Sequence, residues 1–364
     1  MTPDVTVVGG GAIGLAVAWR AAQRGLTTVV ADPAPGTGAT HAAAGMLAPI
    51  TEVHYGEVPL LGLNLDSARR WPDFSAELET AADCSIGYRS EGTVAVAFDD
   101  DDVRALDALV QFQGQLDLPV ERLGSRECRS LEPSLSPRVR GGALVTGDHQ
   151  VEPRALTTAL VRACDGVGVE FVRRAVTAVG PGPRVRLDGD DVLESRSVVV
   201  AAGWRSAALV DIPVRPVKGQ ILRLRGDVSS LLTRTVRGLS HGVSVYLVPR
   251  ANGELVVGAT VEERGADTTV TAGAVRELLD AAVDLVPGVS ELEFSETSTG
   301  LRPGTPDNAP LLGRAPGEDD VWVATGHFRN GILLTPVTAD VMADLVTGSD
   351  PPAIARSFDL ERFA

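Results

Sequence analysis

A chain of 364 residues with 44% hydrophobic and 22% charged content can bury a sizeable core and divide into about two domains. Its net charge of −15 disfavours nucleic acid and anionic membrane surfaces, both of which select clustered Lys and Arg. Cys84, Cys128 and Cys164 form no Cys-x-x-Cys pair and the five histidines add no zinc spacing, so reduced thiols and no metal are expected. With no basic, apolar leader and no 18-residue apolar run, the expectation is a cytoplasmic protein that does not span a membrane.

The chain opens on a short β-branched run, Val5–Val8, followed by a glycine cluster. Ile13, Val17 and Ala21 then recur at spacing four, one face of a helix, and Gly25 is placed to end it. Residues 27–31 read as a second buried strand, making a βαβ beginning. A small-residue loop follows, turning helical from about Ala42, and residues 64–82 read as a helix. Strand character appears at 92–98, with an acidic helix cap at 99–102, and a turn and strand at 141–151. Pro153 starts a helix over 154–163. Short strands are expected at 170–172 and 184–187, and the apolar stretch 198–203 has the character of a buried parallel strand. Further strands fall at 220–224, 243–248 and 255–259, then a helix at 272–286, a strand at 321–324 and a helix at 337–346.

This pattern predicts an α/β fold: a Rossmann-like dinucleotide domain interrupted by an α+β domain with an antiparallel sheet. The first would comprise 1–84, 145–212 and 298–364, and the second 85–144 and 213–297.

Gly9, Gly11 and Gly14 match G-x-G-x-x-G between strand and helix, with Ala12 and Ile13 inside the motif. Gly9 permits the turn, Gly11 lets backbone approach a pyrophosphate, and Gly14 allows close helix–strand packing. The helix N-terminus offers N–H donors and a positive dipole end to phosphate. Asp32 ends the second strand, where its carboxylate can accept from both ribose hydroxyls and would repel a 2′-phosphate.

The motif alone does not separate NAD from FAD. Four further blocks do: Thr40-His41-Ala42-Ala43-Ala44-Gly45-Met46; Arg215-Pro-Val-Lys-Gly-Gln220; Gly300-Leu-Arg-Pro-Gly-Thr305 with Pro310-Leu-Leu-Gly313; and Gly326-His-Phe-Arg-Asn-Gly-Ile-Leu-Leu334. In this order they resemble the D-amino-acid oxidase family of flavoproteins, and within it the glycine oxidases of thiazole (thiamine) biosynthesis. The resemblance implies non-covalent FAD, with Thr40, His41, Ala43, Ala44, Gly45 and Met46 near the flavin ring. Val176 would lie by adenine and Gly203 near the cofactor. Arg329, Asn330, Gly331, Ile332 and Leu333 would lie by the pyrimidine edge, where backbone N–H groups stabilise charge on reduction.

The resemblance also places Arg302 as a bidentate clamp for a substrate carboxylate, Arg329 as a supporting charge and Tyr246 as a hydroxyl donor. Ser244 and Val261 stand where relatives can carry histidine and methionine, which bears on pocket volume and on the choice among glycine, sarcosine and D-amino acids. The implied reaction is hydride transfer from the amino acid to flavin, with O2 as acceptor, giving H2O2, ammonia and glyoxylate or another oxo acid. A dehydrogenase with another acceptor is the alternative. Lys218 could assist oxygen reduction or be structural, and His41 and His327 are read as packing or hydrogen-bonding groups. Related oxidases are often homo-oligomers; the sequence leaves the state open.

Overall fold

The protein is described by a computed structural model covering residues 2–240, 242–350 and 352–363. A six-stranded sheet runs in the order Leu311–Arg314, Val321–Thr325, Ser197–Val200, Val5–Val8, Thr28–Ala31, Glu170–Val172. Its strands pair in parallel except Leu311–Arg314. Strands buried on both faces must be continuously apolar, and Val5–Val8 is buried throughout. Helices Ala12–Gln23, Val58–Ala82, Pro153–Gly166 and Thr335–Val346 pack against one another. Leu15, Trp19, Trp71, Leu156 and Met342 lie in the core they share with the sheet. Beside a second apolar cluster lies the small antiparallel sheet formed by Val176–Val179, Arg184–Leu187 and Val192–Glu194.

The second body is an eight-stranded sheet in the order Glu293–Gly304, Arg215–Arg225, Glu254–Gly258, Val243–Pro249, Thr235–Ser240, Thr93–Ala97, Gly141–Val145, Glu121–Gly124. All its pairs are antiparallel except Thr235–Ser240 with Thr93–Ala97. Period-two alternation sorts its side chains. Leu222, Leu224, Val236, Leu247 and Val257 pack with helix Ala272–Leu285, whereas Ile221, Tyr246, Val248 and Val256 cluster with Ala44 and Met46. Strand Glu293–Gly304 runs through residue 298, so one continuous strand carries the chain across the expected boundary.

Two expected elements shift. The helix expected to begin near Ala42 ends there, spanning Ala39–Ala42, because Ala43 is extended and Gly45 adopts φ +73°. A Cβ on Gly45 would fall inside van der Waals contact of the Val151 carbonyl, so the segment lies pressed against the stretch around Val151 rather than coiling on. The helix expected at 64–82 begins earlier, at Val58, with a proline in its first turn.

Candidate active site

One cavity of about 940 Å³ runs from the glycine loop to the eight-stranded sheet. That is the scale of a cofactor-plus-substrate site. At the loop end, Gly9, Gly11, Ala12, Ile13, Asp32 and Val176 line it. Gly14 lies beneath the lining: a Cβ there would overlap the Gly9 carbonyl, so helix and strand meet only because it is glycine. Asp32 accepts from the Gly10 amide at 2.8 Å through Oδ2 and from the Ala34 amide at 2.7 Å through Oδ1. Each oxygen retains capacity for a further donor. The Ala12 amide donates to Thr40 Oγ1 at 3.2 Å, which ties the helix start to the next block.

In mid-cavity, Thr40, Ala43, Ala44, Gly45, Met46, Gly203, Arg329, Asn330, Gly331 and Ile332 contribute to the wall. The Ala44 carbonyl accepts from Arg250 Nη2 and the Gly45 carbonyl from the Val151 amide. The amides of Ala44 and Gly45 donate to none of the described residues. A smooth wall of small residues with unpaired N–H groups fits a flat heteroaromatic ring with acceptor atoms on its edge. The glycine loop, acidic residue and ring wall therefore fit FAD as a set.

Besides Gly14, two residues expected by the cofactor do not line the cavity. His41 is exposed, and its carbonyl accepts from Arg154 Nε at 3.2 Å; its side chain leaves the wall because the short helix turns it outward. Leu333 is buried behind the wall, where its carbonyl accepts from Ser67 Oγ at 2.6 Å and Trp71 Nε1 at 2.8 Å.

At the far end Arg302 and Tyr246 face the cavity together. They lie on separate strands, brought close by register: Tyr246 pairs with Gly258, Gly258 with Ile221, and Gly219 with Gly300. The glycines make the room. A Cβ on Gly219 would strike the Arg302 guanidinium, and one on Gly258 would strike the Tyr246 phenol. Arg302 Nη1 donates to the carbonyls of Lys218 at 3.3 Å and Thr260 at 3.1 Å. Its Nε and Nη2 donate to no described residue, and no carboxylate pairs with it among them. This leaves a two-donor edge on a fixed guanidinium, the arrangement a carboxylate accepts best. Burial raises the Tyr246 pKa above the ordinary phenol value, with Arg302 opposing, so the hydroxyl stays a neutral donor.

Arg329 lines the cavity but is already paired, with Glu57 at 3.1 Å and Glu52 at 3.3 Å. Lys218 points away from the cavity: it is fully buried, with Nζ 2.7 Å from Asp267. Strand alternation sends Gly219 to the cavity and Lys218 to the opposite face. Ser244 and Val261 line the cavity mouth, Val261 at 68% exposure, so these positions form its open rim. His327 lines the wall and bonds Thr338 Oγ1 through Nε2 at 3.0 Å.

Sequence reading missed Glu52, His54 and Arg237, all of which line the cavity. Arg237 pairs in register with Tyr246 and forms an ion pair with Glu52. Burial opposes ionisation of Glu52, but Arg237 and Arg329 outweigh it and hold its carboxyl below the ordinary value. Alternation was the available signal for Arg237: Val236 faces the helix core, so its neighbour must face the other side. Glu52 lies in a turn with no motif around it, and nothing local marks it.

A dinucleotide loop joined to an amino-acid-like clamp by a small-residue wall defines a flavoprotein oxidoreductase. Residues 4–345 match the FAD dependent oxidoreductase family DAO, and the chain belongs to that family. It is 33% identical over 369 residues to the bifunctional protein ThiO/ThiG of Synechocystis sp., covering 100% of this chain and 54% of that protein. The chain thus spans about half the length of the first such relatives it matches. It is 32% identical to the glycine oxidase of Geobacillus kaustophilus over 99% of this chain and 96% of that enzyme. The crystal structure of glycine oxidase from that organism superposes with a TM-score of 0.92, covering 99% and 98% of the two chains. Among the described residues no helix is long and apolar enough to cross a membrane, and no cluster of metal-ligating side chains occurs.

Proposed function

We propose that the chain oxidatively deaminates glycine or another small amino acid, with O2 as electron acceptor, yielding H2O2, ammonia and glyoxylate or the corresponding oxo acid. The resemblance to the glycine oxidases of thiazole biosynthesis adds a role in thiazole formation for thiamine. In this reading segments 1–84, 145–212 and 298–364 hold FAD, while 85–144 and 213–297 supply most of the substrate side. One observation carries it: the open Nε–Nη2 edge of Arg302 and the Tyr246 hydroxyl share a single cavity with the glycine loop.

FAD, when bound, supplies the two-electron chemistry. The protein binds and orients. Arg302 takes the substrate carboxylate through two parallel hydrogen bonds, and Tyr246 adds a third donor. With the carboxylate pinned, the α-carbon is turned toward the space that the Ala43–Gly45 wall would give to the ring, and positioning supplies most of the rate. The Ala44 and Gly45 amides, together with backbone near Gly331, would offer hydrogen-bond donors to the edge of a bound flavin ring. Arg329 contributes through the charge balance it shares with Glu52 and Glu57 rather than as a free clamp.

The test is visible spectroscopy of the purified protein with glycine added in the absence of oxygen. Loss of the flavin band and stoichiometric H2O2 under air are expected. Arg302→Ala is expected to raise KM for glycine by about a hundredfold. A panel of glycine, sarcosine and D-amino acids ranks the substrates, and electron release without H2O2 would indicate a dehydrogenase instead. A colourless protein that takes up no FAD would overturn the reading.

A further inference from the structure

The charged groups of the substrate end fall into two sets. Arg302 stands alone with backbone carbonyls as its partners. Arg237 and Arg329 do not: Glu52 pairs with Arg237 and lies 3.3 Å from Arg329, while Glu57 lies 3.1 Å from Arg329. Two cations and two anions cancel, so these four groups add no net charge to that of Arg302. Of the two carboxylates, Glu52 lines the cavity and Glu57 does not.

We propose that Glu52 is the charge filter of the substrate site: it masks Arg237 and Arg329, which together form a latent subsite for a second carboxylate, and so confines the site to monocarboxylic amino acids. This rests on the reading of the cavity as an amino-acid site. A side chain bearing a second carboxylate meets Glu52 as a like charge in a partly dehydrated space, and it finds both nearby guanidiniums already ion-paired. The filter is held in place. Arg237 Nη1 also donates to Thr51 Oγ1 at 3.2 Å. Asp148 in turn accepts from the Ile50 amide at 3.1 Å, the Thr51 amide at 3.2 Å and the Thr51 hydroxyl. The turn carrying Glu52 is therefore anchored to the rest of the protein. The register of Arg237 with Tyr246 puts the masked cation next to the substrate-binding tyrosine. A guanidinium released from Glu52 would consequently be within reach of a substrate side chain.

The experiment compares holoenzyme of the native sequence, Glu52→Gln, and the double variant Glu52→Gln with Arg237→Gln. It measures kcat/KM for D-aspartate relative to glycine, and by calorimetry the Kd of the unreactive anions malonate and acetate. Glu52→Gln is expected to shift both ratios toward the dicarboxylate by roughly tenfold or more. The double variant is expected to return them, because it removes the unmasked cation. Unchanged ratios in folded Glu52→Gln, or a gain that persists in the double variant, would overturn the proposal. Should Glu52→Gln not fold, Arg237→Gln alone decides: it leaves an excess negative charge, so both ratios must fall, and unchanged ratios refute the filter. Native protein that neither bleaches with any amino acid nor binds acetate defeats the underlying functional reading. Normal glycine turnover with unmoved ratios defeats the filter alone.

Discussion

His327 is 2% exposed, and burial pushes its pKa down to about 3. Asp148 is fully buried, and burial raises its pKa to about 6 against the hydrogen bonds it accepts. Their linkage to folding has opposite signs. Below about 6.5 the unfolded chain protonates its histidine while the folded one does not, so the His327 contribution falls as pH drops toward 3. The folded Asp148 binds its proton first, so its contribution rises as pH drops through about 6 toward the ordinary carboxyl value. Melting temperatures of the holoenzyme at pH 4.5 and 7.5 separate the two. His327→Gln is expected to narrow the acid-side loss and Asp148→Asn to widen it. Parallel behaviour of all three proteins would mean that neither group titrates across unfolding. At this scale the sequence revealed identities and little of environment: His327 was legible as a packing residue, whereas the burial of Asp148 was not.

The strand Arg215–Arg225 shows how an element distributes roles. Its odd positions Val217, Gly219 and Ile221 serve one face, and Lys218, Gln220 and Leu222 serve the other. Gln220 Oε1 accepts from the Thr271 amide at 2.9 Å, at the start of helix Ala272–Leu285, and Lys218 reaches Asp267. Of the two roles open for Lys218, oxygen-side or structural, this placement favours the structural one. The glycines opposite these residues set the depth of the site. Gly258→Ala would drive a Cβ into the Tyr246 phenol, and the strand backbone cannot retreat without breaking pairs on both sides. Displacing that hydroxyl by about 1 Å is expected to lower kcat/KM for glycine roughly tenfold to a hundredfold with FAD content retained. Steady-state kinetics alongside the flavin absorbance check this; full activity would show that the phenol is not positioned by that contact.

Across the whole molecule, the cavity takes walls from both large sheets, so a bound cofactor ties the two bodies together. Stripping FAD is expected to lower the melting temperature, and restoring it at a hundred times its Kd to return about 2.7 kcal/mol of stability. Calorimetry across an FAD titration measures it; a melting temperature indifferent to FAD would mean that the folded chain does not hold it. By itself the sequence determined the glycine loop and the buried parallel strands, which depend on backbone conformation and apolar periodicity within a few tens of residues, and local composition encodes those. Arg302 and Tyr246 were legible only through the resemblance of their surroundings to a known family. Only the tertiary structure decided that His41 and Leu333 leave the wall, that Lys218 turns away and that Arg329 is masked. It also brought Glu52 and Arg237 together across 185 residues of chain. The reason is physical: which face a side chain takes, and which charge it meets, follow from register among strands distant in sequence, and no local pattern records that pairing.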